Sequence, residues 1–181
     1  MKLRTLLSTG TLALFAAGLL VPLSTLKAAE VPDSEHVSKL ISQAKTLAFQ
    51  LKEDAVLMEG FNRMTVSRES QLAAVNTIKA DINALGRQNA ALKEAAGEAS
   101  PWQRAVIGRI APYLDEMVGY TSAEIEHLTA RDHNFAEYKD YLEANADYAS
   151  DLAAMIGDFV SYGNAKHRVE HLTEKLEIPE Q

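Results

Sequence analysis

Four stretches of the chain carry apolar residues every three or four positions, with polar residues filling the gaps. In the first, Val37, Leu40, Ile41, Ala44, Leu47, Ala48, Leu51, Ala55 and Met58 fall on one side of a helix. In the second, Val75, Ile78, Ile82, Leu85, Asn89, Leu92 and Ala96 alternate steps of three and four, the seam of an antiparallel bundle. The polar Asn89 on that seam suits a role in fixing register. The third stripe is Val106, Ile110, Leu114, Met117, Thr121, Ile125 and Leu128. The fourth is Leu142, Asn145, Ala149, Leu152, Ile156 and Phe159, and after Gly163 the residues Val169, Leu172 and Leu176 resume the spacing in a shifted phase.

Punctuation falls between the stripes. Asp33 or Ser34 after Pro32 suits a helix start, as do Ser67 and Asn134. Ser100-Pro101-Trp102-Gln103 reads as a capping box with proline at the first helical position. Gly60 and Gly97 are candidate stops, and Pro179 closes the last segment. Pro112 lies inside the third stripe, where loss of a backbone N–H predicts a kink. Short connections make neighbouring helices antiparallel. The predicted fold is all-α: an up-down-up-down antiparallel four-helix bundle with a kinked third helix and a long C-terminal helix. The fourth helix outruns the others by about a dozen residues, or ~18 Å. A tail folded back at Gly163 onto its own bundle is the favoured expectation. A projecting tail with Val169, Leu172 and Leu176 exposed is the alternative.

Composition then narrows the class. Apolar residues are 47% and charged residues 24%, an ordinary balance for a packed core. Residues 1–29 read as a signal peptide: Lys2 and Arg4, an apolar run from Leu6 to Val21, then small residues that place cleavage near Ala28 or Ala29. The run is short and diluted by Gly10, Gly18, Ser8, Thr9 and Thr11, which disfavours an uncleaved anchor. The reading is therefore a signal peptide over 1–29 and a single domain over 30–181, periplasmic or secreted. Cleavage removes Lys2, Arg4 and Lys27 and no acid, moving the formal charge from −7 to −10. So acidic a chain repels nucleic acid and anionic lipid, so neither nucleic acid nor membrane insertion after cleavage is expected. The absence of cysteine excludes disulfides, a thiol nucleophile, thiolate-held zinc, iron–sulfur clusters and covalently attached haem.

Ser100-Pro101-Trp102-Gln103, Asp140-Tyr141-Leu142-Glu143-Ala144-Asn145 and Ala149-Ser150-Asp151-Leu152-Ala153-Ala154 resemble a group of uncharacterised exported all-helical proteins from soil bacteria. The resemblance implies export and a helical fold. It implies no activity and no functional residue.

Several motifs bear on chemistry. His167-Arg168-Val169-Glu170-His171 matches the H-x-x-E-H pattern of inverted zinc proteases. Two histidines four apart can meet one metal, and Glu174 lies one turn on. Ten residues follow His171, too few for a downstream ligand and a substrate domain, so the protease match is read as chance. Zinc or copper binding by His167, His171 and Glu174 remains as an alternative function. His36 would join them only if the chain folds back at Gly163. Glu124-Ile125-Glu126-His127 supplies one E-x-x-H where a di-iron bundle needs two, and no histidine sits clearly on a stripe to ligate haem. Tyr138, Tyr141, Tyr148 and Tyr162, with Phe135 and Phe159, could line an aromatic ligand slot on the fourth helix. Trp102 reads as a packing anchor.

The leading expectation is a non-enzymatic, exported binding or interaction protein of the cell envelope. Its partner would be a protein, a peptide or its own copy.

Overall fold

The computed structural model describes residues 31–130 and 135–177. The signal-peptide reading of residues 1–29, the cap at Asn134, the side chain of Phe135 and the closing Pro179 lie outside them. Four helices follow in order: α1 (Glu35–Gly60), α2 (Arg68–Glu94), α3 (Pro101–Thr129) and α4 (Phe135–Lys175). Each packs on two neighbours. α1 touches α2 and α4, α3 touches the same two, and α1 and α3 face each other across the diagonal. This is the expected four-helix bundle.

The caps work as the residue types require. Ser34 Oγ accepts the Val37 N–H at 3.3 Å, and Ser67 Oγ accepts the Ser70 N–H at 3.2 Å. Before α3, Gln103 reaches back to accept the Ser100 N–H at 2.9 Å, its half of the capping box. Neither Gly60 nor Gly97 takes the left-handed conformation of a glycine stop, and no glycine has positive φ among the described residues. α1 and α2 instead tighten into short 3-10 turns at Phe61–Arg63 and Ala95–Glu98. α3 runs unbroken through Pro112, which is exposed. The carbonyl of Gly108 loses its donor on that wet side, where water can replace it.

The core follows the stripes. Val37, Ile41, Ala44, Ala48, Leu51, Ala55 and Met58 of α1 are buried against Val75, Ile78, Ile82, Leu85 and Leu92 of α2. Leu142, Ala149, Leu152 and Ile156 of α4 complete it with Val106, Ile110, Leu114 and Met117 of α3. One position departs from expectation. At the top of α3 the seam falls on Glu124, which is fully buried, while Ile125 is only half-buried. The core-facing run is Met117, Thr121, Glu124, Leu128, so geometry keeps its step of three after Thr121 although the apolar residue stands one place on.

α4 spans 41 residues against 26 for α1 and does not fold back. It continues as helix through Gly163 and leaves Val169, Leu172 and Leu176 exposed at 62%, 43% and 62%. The favoured expectation of a tail packed on its own bundle is therefore corrected. The reason is phase. Continued by heptads, the core stripe of Ala149, Leu152 and Ile156 reaches Gly163, Lys166 and Glu170, which are polar or bare. The apolar residues of the tail sit one position earlier, about 100° around the helix.

Candidate functional site

The site is built where α4 leaves the bundle. Trp102 stands at the first turn of α3, and its Nε1–H donates to Asp33 Oδ1 at 2.8 Å. Lys166 Nζ approaches the same oxygen at 3.2 Å. Burial would raise the Asp33 carboxyl. The nearby Ser100 hydroxyl, the hydrogen bonds from Trp102 and Lys166, and the Lys166 charge outweigh it and hold Asp33 below the usual carboxylate range. Gly163 gives the ring its room, because a Cβ there would lie 2.7 Å from Trp102 Cη2. Gly163 is thus the seat of an aromatic ring rather than a hinge.

Beneath this contact lies Gln103, fully buried and fully used. Its Oε1 accepts the N–H groups of Ser100 (2.9 Å) and Ser34 (3.1 Å). Its Nε2 donates to the Ser34 carbonyl (2.8 Å) and to Ser38 Oγ (2.9 Å). One side chain therefore clamps the start of α1 to the start of α3.

Outward from Trp102 a cleft of about 630 Å³ opens between α3 and α4. Trp102, Ala105, Arg109 and Tyr113 form its α3 wall, and Asp151, Met155, Asp158, Phe159 and Tyr162 its α4 wall. The Arg109 guanidinium lies 5.4 Å from the centre of the Phe159 ring, and Tyr162 meets Trp102 edge-on at 6.0 Å. The aromatic series continues up the same groove, with Tyr113 against Tyr148 at 6.2 Å and Tyr148 against Tyr120 at 5.7 Å. Of the residues predicted for an aromatic slot, Phe159 and Tyr162 line this cleft. Tyr141 and Tyr148 stand higher in the groove beside Tyr120, and Tyr138 is buried near the far end, stacked on His127 at 4.6 Å. A reading of α4 alone missed the α3 half. Trp102, Tyr113 and Tyr120 carry a spacing signal only once the two helices are paired.

The predicted metal ligands are not gathered. His167 borders a smaller cleft between α1 and α4, with Asp33, Ser38 and Asn164 among its neighbours. His171 and Glu174 are exposed on the projecting helix. His36 faces Glu98 instead, Nδ1 to Oε2 at 3.5 Å, and the continuous α4 removes the fold-back that its participation required. No group of three His, Asp or Glu side chains is placed to hold a metal ion among the described residues.

A second polar feature lies at the opposite end. Asn145 Nδ2 donates to Thr121 Oγ1 at 2.9 Å and to Glu124 Oε1 at 3.1 Å, all three buried. Burial pushes the Glu124 carboxyl up to about 8, against a smaller lowering by Asn145. Its Oε2 and Asn145 Oδ1 have no hydrogen-bond partner among the described residues. Asp81 of α2, buried beside Gln50, is raised to about 6 by desolvation and then by the neighbouring Asp54 carboxyl. Neither cleft is lined by these acids.

Comparison with protein-family models, curated proteins and solved structures finds no match. No described helix is long and apolar enough to cross a membrane.

Proposed function

We propose that the protein is a non-enzymatic binding and interaction protein of the cell envelope, working through the outer face of α4. The observation that carries this reading is the exposure of Val169, Leu172 and Leu176 on a helix that extends beyond its bundle. A folded chain gains nothing by holding three large apolar side chains in water along one helix face, and such a row marks a contact surface. Envelope location rests on the signal-peptide reading and on the resemblance to exported helical proteins.

A photocrosslinking side chain placed at position 172 in the producing cell tests the reading. Adducts to a polypeptide are expected there and not at position 118, where the exposed Val118 of α3 lies off this face. Equal labelling at both positions, or none at either, overturns it.

The α3–α4 cleft favours a second reading, a small aromatic or amphipathic ligand. Its volume lies within the ~300–1,000 Å³ of ligand pockets, and its walls are aromatic. A thermal-shift screen tests it, since ligand at 100-fold excess over its dissociation constant adds ~2.7 kcal/mol.

A further inference from the structure

The aromatic walls of the α3–α4 cleft are edged by charge. Asp151, Asp158 and Tyr162 step by seven and four, so they share one face of α4. Trp102 stands opposite Tyr162 and Tyr113 opposite Tyr148, which sets Arg109 of α3 level with the turns between Asp151 and Asp158. Arg109 nonetheless makes no ion pair with either acid. Its guanidinium lies instead over the Phe159 ring, 5.4 Å from the centre. Both carboxylates are exposed, and neither has an ion-pair or hydrogen-bond partner among the described residues. The cleft thus already holds one cation on a ring face, and its acids outnumber that cation two to one.

Resting on the reading of this cleft as a small-ligand pocket, we propose that its ligand is an organic cation, an alkylated ammonium on an apolar body. The ammonium takes the corner between the Trp102 and Tyr162 rings, which stand at 69° to each other, with Asp158 one turn along α4 from Tyr162.

Three properties of the cleft select this chemistry. Ring faces carry negative potential and attract cations, tryptophan most strongly. An anion would meet the same faces with repulsion and would find Arg109 alone, in a chain of formal charge −7. A metal ion shared by the two acids is excluded by their spacing, since residues seven apart on a helix are ~10 Å apart along its axis. An alkylated ammonium also gives up less hydration than a bare one, and its body finds apolar contact at Met155. Arg109 stands seven residues, or ~10 Å, along α3 from Trp102. It takes the Phe159 face and leaves the Trp102 corner to the ligand, and it acts there as an internal competitor of like charge.

Trp102, the sole tryptophan, lines the cleft and reports its occupation. The purified protein is titrated with choline and with dimethylbutanol, the neutral isostere in which a tert-butyl group replaces the trimethylammonium. Choline is expected to shift the Trp102 emission saturably and to bind about tenfold tighter than the alcohol. Asp158→Asn is expected to weaken choline about fivefold and to leave the alcohol unchanged. Arg109→Gln is expected to tighten choline about threefold, because it frees the Phe159 face and removes a like charge. Asp158 and Arg109 are exposed, and circular dichroism of each variant shows whether the fold is intact. Equal affinity for choline and the alcohol overturns the assignment. So does weaker choline binding by Arg109→Gln, which would make Arg109 the anchor of an anionic group. If the alcohol, or a compound from the thermal-shift screen, perturbs Trp102 while choline has no advantage, the cation fails and the small-ligand reading stands. If no compound perturbs Trp102, both fail.

Discussion

The two ends of the bundle treat their central buried amides, Gln103 and Asn145, differently. Where α4 departs, Gln103 makes four hydrogen bonds, and Asp33 accepts from Trp102 and Lys166. Where α3 ends, Glu124 and Asn145 are just as buried but leave Oε2 and Oδ1 without partners among the described residues. A side chain whose donors and acceptors are all used gains strength in a low-dielectric interior, whereas one left half-used is penalised by the same dielectric. The first end therefore holds α4 in line as it leaves the bundle. The second holds a carboxyl that is costly to ionise. The difference is visible in the direction of the two shifts, Asp33 down and Glu124 up to about 8.

The largest expected effect comes from breaking the satisfied end at its centre. Gln103→Ala strands the N–H groups of Ser34 and Ser100 and leaves a gap between α1 and α3. A loss of about 3 kcal/mol in urea unfolding is expected. A loss under 1 kcal/mol would mean that water replaces the amide, and that this end is no more specified than the other.

Next is the charge at the opposite end. Glu124 has a folded value above its unfolded one, so the native state binds its proton more tightly. Its penalty is absent below about 4.5, the ordinary value for glutamate, and grows as pH rises to about 8. The slope approaches ~1.4 kcal/mol per pH unit inside that window. Glu124→Gln should flatten it and stabilise the protein at pH 8 by about 2 kcal/mol. Asp81, raised to about 6, adds a weaker fall of the same sign that Glu124→Gln leaves in place. Unfolding measured at pH 5 and pH 8 separates the two. A parent whose stability is level between those values would place Glu124 in contact with water or an ion.

How much of this contrast could be read in advance depends on which residues carry it. Twenty-odd stripe positions were legible because apolar periodicity and burial obey the same geometry. The capping box was legible because serine, proline and glutamine occur together at fixed offsets. Glu124 was not, since a pattern sought among apolar residues moved to Ile125. Gly163 looked like a hinge because sequence shows a missing side chain and not the Trp102 ring that needs its absence. The cleft was half-legible. Its α4 aromatics share one helix, while their partners on α3 come into register only through the packing of α3 on α4.

A smaller effect probes how tightly the satisfied end is shaped. In an open helix Gly→Ala stabilises by ~0.5–1 kcal/mol. At Gly163 the new Cβ would meet Trp102 Cη2 at 2.7 Å and Cζ2 at 2.8 Å. The ring is tied by its bond to Asp33 and gives way only in part. A net loss of about 1 kcal/mol is expected for Gly163→Ala. In a Trp102→Ala background the same change should become stabilising. An unchanged sign across that cycle would mean that the ring swings away freely.

The smallest effect has the opposite pH sense to Glu124 and completes the contrast. Asp33 is held below the ordinary aspartate value of 3.8, so its contribution is full above that value and is lost as pH falls through the folded value. Its side chain is 22% exposed and that of Lys166 17%, so solvent screens the pair and its contribution at pH 7 is about 0.5 kcal/mol. Asp33→Asn should remove that increment at pH 7 and remove little at pH 2. Trp102 is the sole tryptophan, so its emission follows this end in particular. On acidification the parent's emission should shift as the Asp33 carboxylate is neutralised, with far-ultraviolet circular dichroism still helical, because loss of one tether frees the ring before it frees the bundle. An emission change that coincides with loss of all helix would instead mean that α4 and the start of α1 part only when the whole core does. The clamp at Gln103, and not the Asp33 carboxylate, would then be what keeps the tail in line.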